Sequence, residues 1–99
     1  MSNINIHINK LKNGETLEIR PKGNSMQPLI QSGQLCIIEP LNKRKLNISD
    51  IVYCKVKGNI YLHKVSAIKK DQYQISNNKG YVNGWIKINN IFGILKEVK

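Results

Sequence analysis

What most restricts the fold of this chain is the brevity of its apolar runs. Turn-forming residues interrupt them about every ten residues, and two of the runs alternate apolar with polar positions. No segment of roughly ten residues or more carries a clean helical period, so the reading is a mostly β domain. Ile4, Ile6 and Ile8 alternate with polar neighbours, and residues 1–18 are therefore expected to form an extended arm or short strands. Lys12-Asn13-Gly14-Glu15 is a turn, and Thr16 to Arg20 alternates again. Leu35 to Glu39, Ile51 to Lys57, Asn59 to Ile68, Gln72 to Ser76, Tyr81 to Ile88 and Ile91 to Val98 read as strands. Lys57-Gly58-Asn59 closes a hairpin between two of them, and Met26 to Gln31 has room for one helical turn. The succession predicts a compact, partly closed β-barrel or a folded-over sheet.

At 99 residues the chain reads as one domain with a single modest core. Sixteen basic residues against six acidic ones leave a net charge of +10, which favours non-specific attraction to nucleic acid and to other anionic surfaces. The lysines are scattered, with local clusters at Lys43-Arg44-Lys45 and Lys69-Lys70, and the few aromatic residues are not interleaved with them. A nucleic-acid module with stacking platforms is therefore not expected. No apolar run approaches the ~18 to 20 residues of a membrane span, and the first residues lack the apolar core of a signal peptide. A cytoplasmic protein with no membrane span is the expectation. Cys36 and Cys54 each fall within an apolar run, without metal or redox spacing, and are expected to be buried thiols; no metal or cofactor is implied.

Gly23-Asn24-Ser25-Met26-Gln27-Pro28 is the segment that carries chemistry. Gly23 can take positive φ without steric cost, while Pro28 fixes its own φ and biases Gln27 away from helix. Ser25 is thus held on a shaped loop, where a hydroxyl can be aimed at a substrate. Such a hydroxyl is a weak nucleophile and needs a base within hydrogen-bond reach. His63, one of two histidines, lies in the strand-like run Ile60-Tyr61-Leu62-His63-Lys64-Val65 and is largely neutral at pH 7, so it can accept that proton. The bland readings are a serine capping a short turn and a histidine satisfied within a strand.

Five boxes occur in order: Gly23 to Pro28, then Ser32-Gly33-Gln34-Leu35-Cys36-Ile37-Ile38, Ile48-Ser49-Asp50-Ile51-Val52, Leu62-His63-Lys64-Val65, and Ile91-Phe92-Gly93-Ile94-Leu95. Together they resemble the core of the S24/S26 serine peptidases, which include the signal peptidases and the self-cleaving domains of SOS-type repressors. The resemblance covers about residues 19 to 98. It implies a small, mostly β domain, Ser25 as nucleophile, His63 as base where many members carry lysine, and Gly23 and Met26 supporting the loop and its oxyanion-binding amides. It also implies a peptide or protein substrate laid along a sheet edge. Lys64 is the less favoured base, and its side chain is expected on the opposite face of the strand.

Two departures stand out. The family's Gly-Asp-Asn turn reads Ser76-Asn77-Asn78, so Asn77 occupies the place of the acid that would orient the histidine, and Gly33 is followed by Gln34. An amide can hold an imidazole ring but does not stabilise imidazolium as a carboxylate does. Two functions stay open on these residues: a serine endopeptidase acting through a Ser/His dyad, or a weak or inactive peptidase-like module that binds protein or nucleic acid through its basic surface. Self-cleavage is not expected, since the chain holds no Ala-Gly dipeptide and no partner domain before Gly23; a phage or bacterial accessory factor would suit its size. His7 is expected as a surface histidine, and Tyr81 and Trp85 as packing residues on a hairpin arm.

Overall fold

In the computed structural model, which describes residues 3–99, a helix precedes a single sheet. Helix α1 (Asn3–Lys12) is followed by strands β1 (Leu17–Ile19), β2 (Cys36–Pro40), β3 (Ile51–Val56), β4 (Asn59–Lys69), β5 (Gln72–Ser76), β6 (Val82–Lys87) and β7 (Ile91–Val98), with a 3-10 turn at Ile88–Asn90. All pairings are antiparallel, in the order β1-β2-β7-β3-β4-β5-β6. The sheet does not close into a barrel. It curls instead, so that β6 comes back against β3 although β4 and β5 lie between them in the sheet. A fold that is mostly strand, with a folded-over sheet, agrees with the expectation from the short runs and the turns between them.

The alternation along β3 splits the interior into two cores. Val52, Cys54 and Val56 join Val65, Ile75, Ile86, Ile91 and Ile94 inside the curl. Tyr53 points the other way, into a second core with Leu11, Leu17, Met26, Ile30, Cys36, Ile38 and Leu62. Both cysteines are buried free thiols in these cores, and burial pushes the Cys54 thiol up to about 12.

The expected N-terminal arm is instead helical. Ile8 and Leu11, three positions apart, pack on the second core, while Ile6 is exposed. The Ile4-Ile6-Ile8 alternation imitated a strand; burial of Leu11 against β7, β1 and β2 decided for the helix. His7 follows the helix. It is half-buried rather than a free surface residue, with Nδ1 3.3 Å from the Tyr53 hydroxyl. None of the described helices is long and apolar enough to cross a membrane.

Gly93 marks the tightest approach in the sheet. A Cβ there would stand 2.7 Å from the Glu39 carbonyl oxygen, 2.8 Å from Ile38 Cγ2 and 3.2 Å from Leu11 Cδ1. Backbone cannot yield as a side-chain tip can, so Gly93→Ala is expected to lower stability by about 1–3 kcal/mol through overpacking. For a domain of this size that is a fall in Tm of very roughly 4–8 °C per kcal/mol, read by thermal unfolding. An unchanged Tm would show that α1 and β2 give way freely at this point.

Candidate active site

Ser25 lies in the connection from β1 to β2, and the ends of that connection are tied together. Gly33 N–H donates to the Pro21 carbonyl at 2.7 Å, Gly23 N–H to Ser32 Oγ at 3.0 Å, and Arg20 Nη1 to the Gly33 carbonyl at 3.1 Å. Gly23 has φ +111°, a conformation that L side chains rarely adopt. Downstream, Ile30 N–H donates to the Met26 carbonyl at 3.0 Å, but it closes a non-helical turn around Gln27-Pro28 rather than the short helical turn expected there. Met26 and Ile30 are both buried in the second core, so the residue after Ser25 is anchored by packing.

A second tie comes from the turn between β5 and β6. Asn78 N–H donates to the Ser25 carbonyl at 2.8 Å, and its Nδ2 donates to the Gln27 carbonyl at 2.9 Å. Lys64 Nζ donates in turn to Asn78 Oδ1 at 3.3 Å. Lys64 is thus engaged with the residue that holds the serine loop, while the hydroxyl itself is met by another group.

That group is His63. On β4, Tyr61, His63 and Val65 share one side of the strand, Val65 in the core inside the curl and Tyr61 packed against it. The Tyr61 and His63 rings stack at 4.7 Å with an interplanar angle of 26°. His63 is 6% exposed, with Nε2 3.1 Å from Ser25 Oγ and Nδ1 2.7 Å from Asn83 Oδ1. An amide oxygen only accepts, so Nδ1 carries the proton and donates to it. In the neutral ring Nε2 then bears the lone pair, and the Ser25 hydroxyl donates to it. This is the tautomer that a general base requires. Burial holds the His63 pKa below the usual 6.5, opposed by the hydrogen bond to Asn83.

Asn77, read from sequence as the residue to orient the ring, does something else. Its Oδ1 accepts from Lys79 N–H and Tyr81 N–H, both at 2.9 Å, and closes the β5–β6 turn. Asn83 stands behind His63 in its place. The register shows why: Ile75 is opposite Gly84 while Ser76 is opposite Val82, so Asn83 is the extra residue of a β-bulge that re-aims its side chain. Gly84 permits the bulge, with φ +149° and a would-be Cβ only 3.2 Å from Val56 Cγ1 where β6 folds over β3. The signal was in the sequence, as an isolated glycine within a strand pattern suggests a bulge. Asp71, the nearest acid downstream of His63, is instead exposed beside Lys87 at 3.9 Å, and Asp50 accepts from Asn47 N–H at 2.8 Å. Tyr81 and Trp85 are exposed rather than packed.

A shaped loop carrying a serine hydroxyl, a buried neutral histidine accepting from it, and an amide behind the ring form an arrangement able to activate a nucleophile. No curated protein matches the chain. A family model described as Peptidase S24-like matches residues 3–98, which include every part of this site, and the chain belongs to that family.

Proposed function

We propose that this chain is a serine endopeptidase in which Ser25 is the nucleophile and His63 the general base. The observation that carries the reading is the 3.1 Å contact between Ser25 Oγ and His63 Nε2, with the tautomer set by Asn83. Ser25 Oγ attacks the scissile carbonyl as its proton passes to Nε2, and the oxyanion is met by the backbone amides of Ser25 and Met26. The imidazolium then protonates the leaving amine, and a water activated by the same ring releases the acyl group. Asn83 fixes the ring without supplying negative charge, which favours slow turnover. The sheet ends at β6, the strand that carries Asn83, and an extended peptide adding to such an edge would run beside the dyad.

Incubation with a mixture of synthetic decapeptides, read by mass spectrometry, tests the assignment. Expected are products from defined sites with the wild type, absent with Ser25→Ala. If no peptide is cut by the wild type, or cutting survives Ser25→Ala, the peptidase reading fails and the binding-module reading replaces it.

A further inference from the structure

A groove away from the dyad joins features that the sequence keeps apart. Lys55 and Lys57 come from β3 and the turn after it, Gln72 from the start of β5, Trp85 and Lys87 from β6, and Asn89 and Asn90 from the turn that follows. They line an open hollow of ≈ 550 Å³ with no carboxylate in its wall. Trp85, the only tryptophan of the chain, is 43% exposed at its side. Lys57 Cε lies 3.5 Å from the position a Cβ would take on Gly84, next to Trp85 in sequence. Among the described residues the ion pair made by a lining lysine is Lys87 with Asp71, 3.9 Å apart and highly exposed, a pairing that solvent screens heavily.

The hollow does not end there. Lys55, Asn89 and Asn90 also line an adjoining one of ≈ 440 Å³, whose wall includes Lys12 and Phe92. Lys12 Nζ stands 5.9 Å over the Phe92 ring. The two hollows share Lys55, Asn89 and Asn90, and their combined lining holds Trp85, Phe92, Lys12, Lys55, Lys57 and Lys87, and several amide side chains. A lone phosphate or mononucleotide would use one hollow only; an extended polyanion with flat groups uses both. Stacking on Trp85 needs an unpaired base, which a duplex does not offer.

We infer that this groove binds single-stranded nucleic acid, with Trp85 stacking on a base and Lys55, Lys57 and Lys87 neutralising phosphates. This is independent of the peptidase reading, since neither Ser25 nor His63 lines the groove.

The single tryptophan gives a direct readout. Titration of the folded wild type with dT20 and with U20 at ~150 mM salt is expected to quench its fluorescence saturably, and comparing the two shows whether DNA or RNA is preferred. Three phosphate contacts on a single strand predict a salt slope, log K against log[salt], of about −2. Anisotropy of labelled dT20 should show binding retained by Trp85→Phe and weakened about 5- to 150-fold by Trp85→Ala. The exposed triple variant Lys55→Gln, Lys57→Gln, Lys87→Gln, which does not disturb the core, should lose affinity and flatten the slope by about 2. An equal loss from Lys43→Gln, Arg44→Gln, Lys45→Gln would reduce the effect to overall charge and overturn the proposal. So would binding without quenching, or displacement of dT20 by polyglutamate at equal charge concentration, which would mark an acidic-protein site.

Discussion

Ser25→Ala is expected to lower kcat by about four orders of magnitude or more, His63→Ala to cost nearly as much, and the double variant to be no slower than the worse single one. The reason is geometric. On the proposed reading Nε2 and Oγ, 3.1 Å apart, form one proton-transfer unit, and once either atom is gone the other has nothing to exchange with. What then remains is catalysis from the oxyanion-binding amides and from substrate positioning, which both variants keep. The check is kcat for the two singles and the double on one peptide, with far-UV circular dichroism to establish folding. His63 is buried, so its truncation leaves a cavity; His63→Gln serves as a better-filled companion. Additive losses in the double variant would mean that Ser25 and His63 act separately, and the dyad would be abandoned.

Asn83→Asp is expected to raise kcat about 5- to 30-fold and to move the acid limb of the pH–rate profile upward. The wild-type ring is held by an amide at 2.7 Å in a site that disfavours its charged form, so its pKa lies below 6.5 and the acid limb of the wild-type profile is expected below that pH. A carboxylate at the same distance keeps the tautomer and adds a charge-assisted bond to the imidazolium, worth roughly 1–2 kcal/mol more than the neutral one. The same bond favours the protonated ring at rest, so the midpoint rises. Asn83→Leu should do the opposite to rate, by about 10- to 100-fold, because Nδ1–H loses its acceptor and the tautomer is no longer set.

Folding follows the same sign. The folded ring resists a proton that the unfolded chain takes up near 6.5, so wild-type stability is complete above that pH. It declines as pH falls below it and levels off once pH is under the folded pKa. Identical profiles for the wild type and Asn83→Asp would show that Asn83 does not hold His63 in solution.

Much of the β framework was legible because its signals are local. Gln72–Ser76 and Ile91–Val98 begin and end where the apolar runs do, since turn residues on either side cannot continue a ladder. Ser25 and His63 were legible for a related reason. The glycine and proline that shape the loop, and the strand that carries the base, are short-range patterns preserved in order along the chain. The helix at Asn3–Lys12 was not, because the three isoleucines fit a period of two as well as anything helical. What separates the two outcomes is whether Leu11 finds a surface to bury on, and that surface is made by β1, β2 and β7.

Asn77 and Asn83 state the division most sharply. Both are asparagines near the β5–β6 turn, and the sequence by itself offered Asn77 as the residue to orient His63. Only the tertiary structure decided which of the two does so. A single extra residue in β6 against β5 shifts every later side chain by one position, and a one-residue register change moves a group from one face of a sheet to the other. The curl then brings β6 over β3, sets Trp85 beside lysines far from it in sequence, and assembles a groove for which no segment of the chain carries a motif. Pattern and turn chemistry act over a few residues; register and curvature depend on how whole strands pair and pack, so the dyad could be read in advance and its orienting partner could not.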